Sequence, residues 1–128
     1  MIRVLIVEDD ALYRRVIVFL LERQPDIEVV GEAGSLSEAR TMLKGVDVAI
    51  LDRVLPDGIG LELIEELREA SPGVKVLVMS VLEELANPQE TLQAGADRIL
   101  SKITSSDRVV ATIRSLKAAQ SSAIHPST

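Results

Sequence analysis

Acidic, hydroxyl and lysine side chains stand at or just after the ends of four apolar runs in this chain of 128 residues. Glu8 and Asp9 follow the first run, Asp52 the third, Ser80 the fourth and Lys102 the fifth. Three carboxylates packed together repel one another unless a cation lies among them, and carboxylate oxygens suit Mg²⁺ or Mn²⁺ better than a soft metal. A lysine and a hydroxyl offer a charge and a hydrogen-bond donor to phosphoryl oxygens. The set therefore indicates divalent-cation and phosphoryl chemistry.

Asp52 is the best candidate for a nucleophile, because a carboxylate can attack a phosphoryl group and form an aspartyl-phosphate. It follows the most buried of the predicted strands, and the turn at 55–58 would leave it exposed at the rim. Asp57 is interpreted as a turn residue. The single histidine, His125, lies in the C-terminal segment and receives no role, which nearly excludes histidine catalysis within this chain.

Strand and helix patterns alternate along the chain and must position these side chains. The strands are predicted at 2–7, 27–30, 46–51, 74–79 and 98–100, as nearly continuous apolar runs typical of a parallel sheet. The helices are predicted at about 11–23, from Ser35, at 59–70, at 88–95 and at 104–119. Five such pairs predict a doubly wound α/β domain with right-handed crossovers, which binds ligands at the carboxyl ends of its strands.

Capping residues and apolar spacing define the helices. Asp10 is expected to cap the first helix, and Asn87 is expected to cap the fourth. In the third and last helices the apolar side chains at helical spacing are Ile59, Leu63 and Leu67, and Val109, Val110, Ile113 and Leu116. In the first helix one face carries Leu12, Val16, Phe19 and Leu20, which we expect to face the sheet. Val18 lies opposite, so we expect Val18 and Leu21 to contact a partner helix or a second copy; the alternative is that they are ordinary isolated surface residues.

Composition excludes several classes of function. Twenty acidic and fourteen basic residues give a net charge of −6, so a nucleic-acid-binding surface is not expected on this segment. The chain has no cysteine, which excludes disulfides, zinc-thiolate sites and a catalytic thiol. Tyr13 and Phe19 are the only aromatic residues, too few for an aromatic flavin clamp. No targeting or membrane segment is visible, and we expect a cytoplasmic protein.

Taken together, these residues resemble the receiver domain of bacterial two-component response regulators. The resemblance rests on Glu8-Asp9, the segment DRVLPDGIG from Asp52 to Gly60, Ser80, and Lys102 after Gly95-Ala96-Asp97. It covers residues 1–119, and the segment PDIEVVGE at 25–32 looks most like receivers of regulators with LuxR-type helix-turn-helix output domains. It implies a flavodoxin-like (βα)₅ fold with strand order 2-1-3-4-5.

The resemblance also implies roles for single residues. Asp52 would accept a phosphoryl group from a phosphohistidine on a sensor histidine kinase or phosphotransfer protein. Mg²⁺ would be bound by Asp9, Asp52 and the backbone carbonyl of Val54, with Glu8 acting through water. Lys102 would pair with the phosphoryl oxygens. Ser80 would turn inward and bias the surface of the fourth helix, fifth strand and fifth helix. A homodimer is a further partner to test for, and neither a nucleic acid nor a membrane is expected as a direct partner.

Four positions depart from the family pattern. Ile103 follows the lysine where many receivers have a cis proline, and we expect a trans bond because a cis bond to isoleucine costs about 2.5–4 kcal/mol. Ile99 replaces the usual aromatic switch residue. Val81 is larger than the small residue common after the hydroxyl and would narrow access to Asp52. Arg53 places a charge where an apolar side chain is usual.

Other functions fit the sequence less well. A haloacid-dehalogenase-type phosphatase needs a second aspartate where Val54 stands, and the acids at 8–10 would repel the phosphate of a flavin. A receiver-fold interaction module that works without phosphorylation stays open. We expect a signalling domain rather than an enzyme, catalysing only its own phosphotransfer and dephosphorylation. The domain is predicted over 1–119, with 120–128 as a flexible tail or truncated linker leading to a DNA-binding output.

Overall fold

A five-stranded parallel sheet forms the centre of the fold in the computed structural model, which describes residues 1–81 and 88–123. Its strands run in the spatial order β2-β1-β3-β4-β5. Their bounds are β1 Ile2–Val7, β2 Ile27–Ala33, β3 Val48–Asp52, β4 Lys75–Ser80 and β5 Arg98–Ser101. This order confirms the predicted flavodoxin-like topology, in which all five strands end at the same edge.

The inner strands form because their apolar runs can be buried on both faces of the sheet. All five residues of β3 are buried, as are the last five of β4. The pairing register aligns the strand ends, with Val7 opposite Leu51, Asp52 opposite Met79 and Ser80 opposite Ser101. The residues that follow these positions therefore meet at one edge.

Helices cover both faces of the sheet, and the first is capped by Asp10 as the sequence predicts. Their bounds are α1 Ala11–Glu22, α2 Leu36–Ala39, α3 Leu63–Ala70, α4 Pro88–Gln93 and α5 Ser106–Ala123. Asp10 caps α1 by accepting a hydrogen bond from the Tyr13 amide at 3.1 Å, and Ser35 caps α2 through the Glu38 amide at 3.1 Å. The predicted cap Asn87 lies outside the described residues.

Two apolar cores lie on opposite faces of the sheet. One joins the sheet to α2 and α3 through residues such as Leu36, Leu63 and Leu67. The other joins it to α1 and α5, and it contains all four residues predicted to face inward from the last helix, together with Val18 and Leu21. Burying side chains of this size contributes about 1.5–3 kcal/mol each relative to exposure.

The predicted buried face of α1 is wrong. Leu12, Val16 and Phe19 are exposed, Leu12 with 76% of its surface and Phe19 with 61%, and Leu20 is only half-buried. Val18 and Leu21 are buried in the core instead. The hypothesis that these two side chains contact a partner is therefore wrong as well, because no partner can reach them.

Smaller differences concern element ends. A short β-hairpin, Val54–Leu55 with Gly58–Ile59, and a 3₁₀ turn at Gly60–Glu62 precede α3, so Ile59 is an exposed strand residue instead of a buried helix residue. Helix α5 extends four residues beyond the predicted end at 119. His125 and the rest of 124–128 lie outside the described residues. Within the described ranges, no helix has the length and apolar character needed to cross a membrane.

Candidate functional site

Three carboxylates converge at the carboxyl edge of the sheet. Glu8 follows β1 directly, and its amide continues the parallel pairing by donating to the Ala33 carbonyl at 2.8 Å. Glu8 and Asp52 are buried, with 4% and 6% exposed, whereas Asp9 is exposed. One oxygen from each of Glu8, Asp9 and Asp52 lies within 4.8 Å of the other two. The geometry thus brings the predicted acidic set together.

Lys102 follows β5, the outermost strand on one side of the sheet, and its side chain extends to this cluster. Its side-chain nitrogen Nζ lies 2.8 Å and 3.1 Å from the two carboxylate oxygens of Glu8 and 3.1 Å from Oδ2 of Asp52. Its amide donates to the carbonyl of Ser80 at 2.9 Å, which fixes the start of the loop after β5. The ammonium group therefore bridges the two buried acids.

The pKa values of the two buried acids are shifted in opposite directions. Burial raises the pKa of Glu8 from 4.5 to about 8, and a hydrogen bond with Asp52 adds to this effect. Burial acts to raise the pKa of Asp52 too, but hydrogen bonds from Glu8 and Lys102 outweigh it, and the pKa falls below its ordinary value. Within this cluster Asp52 therefore favours its ionised form, and Glu8 favours its protonated form, more than an ordinary carboxyl group does.

Desolvation and the neighbouring Asp52 raise the pKa of Asp9. Three carboxylates meet one lysine here, so Lys102 alone does not balance their negative charge when all three are ionised. A divalent cation would balance this charge, and carboxylate oxygens are the ligands that Mg²⁺ prefers. The residues present therefore fit a magnesium ion, held by Glu8, Asp9 and Asp52.

The two other predicted site residues lie at the end of β4 and shortly after the end of β3. Ser80 is the last residue of β4 and is buried. Val54 lies two residues after Asp52 in the short hairpin, where it pairs with Ile59, and its side chain is exposed. The role of the Val54 carbonyl as a metal ligand stays a prediction.

Gly60 allows the start of the 3₁₀ turn to pack against the backbone of Asp52. Its amide donates to the Arg53 carbonyl at 2.8 Å, and a Cβ at this position would overlap the carbonyl oxygen of Asp52. The backbone at the start of the 3₁₀ turn therefore approaches β3 more closely than a side chain at position 60 would permit. In the sequence Gly60 closes the family motif that begins at Asp52, but the motif alone does not indicate this backbone contact.

Two residues of α1 contact the site and were missed. Arg14 donates a hydrogen bond to the Glu8 carbonyl, and its Nε lies 3.5 Å from Oε1 of Glu32. The Tyr13 hydroxyl donates to the Lys102 carbonyl at 3.1 Å, and the Lys102 ammonium lies 5.4 Å from the centre of the Tyr13 ring. Their position in the first turns of a helix that starts beside the acids is the one signal that could have indicated them.

The four departures from the family pattern have definite places. The bond between Lys102 and Ile103 is trans, as expected, and the Ile103 side chain is 80% exposed. Val81 is exposed beside Ser80, and Ile99 is half-buried. Arg53 is mostly buried and its guanidinium lies 3.4 Å from the carboxylate of Glu90 in α4. The charge that follows Asp52 therefore connects the end of β3 to a helix.

Comparison with known proteins supports a specific family. The model of the response regulator receiver domain matches residues 4–114. The chain is 36% identical over 104 residues to the DNA-binding transcriptional activator DevR/DosR of Mycobacterium tuberculosis, covering 80% of this chain and 48% of that protein. It is 37% identical over 118 residues to the transcriptional regulatory protein UhpA of Salmonella typhimurium, covering 91% and 59%. The chain thus spans about half the length of these relatives.

A solved structure gives the same result. The two-component response regulator of the LuxR family from Aurantimonas superposes with a TM-score of 0.81 at 25% identity, covering 91% of this chain and 85% of that chain. The predicted likeness to LuxR-type receivers is therefore confirmed. Sheet order, relatives and family model agree over nearly the whole length, and the chain belongs to the response regulator receiver domain family of two-component signalling.

Proposed function

We propose that Asp52 accepts a phosphoryl group from a phosphohistidine on a sensor histidine kinase or phosphotransfer protein. The observation that carries this proposal is the convergence of three carboxylates and one lysine around Asp52, which is the member of the set whose pKa is lowered. An ionised carboxylate that is held in place at the mouth of the sheet is suited to nucleophilic attack.

The reaction makes one bond and breaks one. A carboxylate oxygen of Asp52 attacks phosphorus, the bond from phosphorus to the imidazole nitrogen breaks, and its electron pair stays on the imidazole. Bound Mg²⁺ would supply positive charge to the phosphoryl oxygens. Asp9, Asp52 and the Val54 carbonyl would hold that ion, with Glu8 acting through water. Lys102 and the Ser80 hydroxyl would bind the oxygens of the transferred group.

The consequence of phosphorylation would be a change on the surface formed by α4, β5 and α5. Ser80 ends β4 and its carbonyl already receives the amide of Lys102, so movement at Ser80 is transmitted to the end of β5. The relatives DevR/DosR and UhpA are transcriptional regulators, and the alignments cover only 48% and 59% of their lengths. We therefore propose that the receiver controls a DNA-binding output outside this segment.

Intact-mass spectrometry after incubation with Mg²⁺ and acetyl phosphate tests the phosphoacceptor. Wild type should gain the mass of one phosphoryl group, and Asp52→Asn should not. The matched control is Asp57→Asn, which changes an exposed aspartate five residues away whose carboxylate caps α2 through the amides of Leu36 and Ser37. It should react as wild type does.

The alternative function is an interaction module that works without phosphorylation. It is supported if wild type gains no mass in the presence of Mg²⁺. An equal gain in wild type and Asp52→Asn would instead show that another residue, and not Asp52, receives the phosphoryl group. Loss of the reaction when Mg²⁺ is removed with a chelator, and its return on re-addition, would support a metal site at Glu8, Asp9 and Asp52.

A further inference from the structure

The side chain of Tyr13 contacts the site lysine at two places. Its hydroxyl donates to the backbone carbonyl of Lys102 at 3.1 Å, and its ring centre lies 5.4 Å from the Lys102 ammonium. The two residues are separated by 89 positions in the sequence. Tyr13 is half-buried in the first turn of α1. One aromatic residue therefore holds both the backbone and the charged end of Lys102.

Lys102 needs such restraints because its side chain is long and flexible. The residue after it, Ile103, is 80% exposed, so packing of that neighbour contributes little to fixing the loop. The Lys102 amide is bonded to Ser80 and its carbonyl to Tyr13. The tyrosine hydroxyl thus supplies the second anchor of the lysine backbone, and the ring face is attractive to the ammonium.

We propose that Tyr13 is a positioning residue that holds Lys102 at the phosphoacceptor. The inference rests on the proposed function, since Lys102 acts on a phosphoryl group only if Asp52 receives one. Tyr13 does not contact the acidic cluster by a hydrogen bond or ion pair among the described contacts, so its loss should slow the transfer step and leave the Mg²⁺ requirement unchanged.

Tyr13→Met removes the ring and the hydroxyl while keeping an apolar side chain that can fill the space. Tyr13→Phe keeps the ring alone. Phe19→Leu is the matched control, because Phe19 is the other aromatic residue of α1, is exposed, and has its own cation, Arg23, at 5.6 Å. Thermal melting of each variant establishes that it is folded.

Nuclear magnetic resonance of lysine-labelled protein detects the contact between the Tyr13 ring and Lys102, and it does not require phosphorylation. The chain has four lysines, and Lys102→Arg assigns the signal of Lys102. The methylene protons beside its ammonium should be shifted upfield by the Tyr13 ring in wild type, Tyr13→Phe and Phe19→Leu. They should move to the ordinary position in Tyr13→Met. An unchanged Lys102 signal in Tyr13→Met would overturn the proposal.

Time courses with acetyl phosphate, followed by intact-mass spectrometry, measure the effect of each substitution on the rate of phosphorylation. The maximal rate should fall by about threefold to tenfold in Tyr13→Met, with an intermediate rate in Tyr13→Phe and a wild-type rate in Phe19→Leu. The Mg²⁺ concentration that gives half the maximal rate should not change. A wild-type rate in Tyr13→Met, or a shift in the Mg²⁺ requirement as large as the loss of rate, would contradict a positioning role. If wild type itself gains no mass, the proposed function fails, while the lysine spectra still decide the contact.

Discussion

Among the single residues of the site, Glu8 has the pKa that the fold changes most clearly. Burial raises its pKa to about 8, so the folded protein holds a proton there that an unfolded chain would release near 4.5. Lys102 compensates part of the charge at 2.8 Å. Because a bound divalent cation favours the ionised carboxylate, cation binding and loss of this proton are coupled.

This coupling predicts a stability that falls as pH rises. Between about 4.5 and 8 the folded state binds more protons at Glu8 than the unfolded state, so the free energy of unfolding decreases with increasing pH. The raised pKa of Asp9 acts in the same direction. The lowered pKa of Asp52 acts only below its ordinary value of 3.8, outside this window. Urea unfolding from pH 5 to 8 without divalent cations measures the slope.

Glu8→Gln should remove most of this slope, because glutamine has the same shape and no titration. Glu65→Gln is the control, as Glu65 is an exposed glutamate in the first turn of α3. Mg²⁺ should reduce the slope in wild type but not in Glu8→Gln. The same slope in wild type and Glu8→Gln would show that another group is responsible.

Gly60 is the residue at which the backbone itself has no room for change. An alanine Cβ would overlap the Asp52 carbonyl oxygen, so β3 or the hairpin must shift. Gly60→Ala should lower the free energy of unfolding by about 1–3 kcal/mol and slow phosphorylation through displacement of Asp52. Gly34→Ala is the control, because its Cβ would meet the movable ends of Arg14 and Glu38 at 3.1 Å and 3.3 Å. Equal losses in the two variants, by urea unfolding, would contradict the argument.

Helix α1 shows, at the scale of elements, where sequence reasoning reaches its limit. Two stripes at helical spacing compete in it: Leu12, Val16 and Phe19 on one side, and Arg14, Ile17, Val18 and Leu21 on the other. The second stripe is the buried one, although it contains a charge. Arg14 can face inward because it bonds the Glu8 carbonyl and approaches Glu32. Those partners come from other elements, and a helical wheel does not include them.

The buried stripe predicts that two valines on the same helix contribute very differently to the free energy of unfolding. Val18→Ala should lower the free energy of unfolding by about 1–3 kcal/mol, because Val18 is buried and its loss leaves a cavity. Val16→Ala should change it by less than about 0.5 kcal/mol, because Val16 is 48% exposed and alanine favours a helix. Urea unfolding of both variants decides the matter. A larger loss for Val16→Ala would reverse the orientation of α1.

Other elements were predictable for local reasons. The strands are runs of β-branched and apolar residues that only a doubly covered sheet can bury, and parallel strands bring Glu8, Asp52 and Lys102 to one edge. The end of α5 was not predictable, because Gln120 looks like a linker residue in sequence. In the fold it is buried and donates to the Gly73 carbonyl at 2.6 Å, and Lys117 donates to it at 2.8 Å.

At the scale of the whole molecule, two contacts lead from the site towards α4 and β5. Arg53 follows Asp52, the proposed phosphoacceptor, and pairs with Glu90 of α4 at 3.4 Å. The Lys102 amide joins the ends of β4 and β5 at Ser80. With Ile99 in place of an aromatic switch residue, these polar contacts become candidates for transmitting the state of Asp52. A double negative charge on Asp52 would compete with Glu90 for the Arg53 guanidinium.

Arg53→Met separates the two routes. Mg²⁺ with beryllofluoride, which mimics a phosphoryl group on aspartate, should shift the amide resonances of both 88–93 and 98–102 in wild type. In Arg53→Met the shifts at 88–93 should shrink by at least half, while those at 98–102 remain. The pair with Glu90 should itself contribute less than about 1 kcal/mol to stability, because Glu90 is largely exposed. Arg40→Met, which breaks a surface pair with Glu66 at 3.2 Å, should leave both sets unchanged. Undiminished shifts at 88–93 in Arg53→Met would show that α4 responds by another path, and equal losses at both segments would show that the routes are not independent.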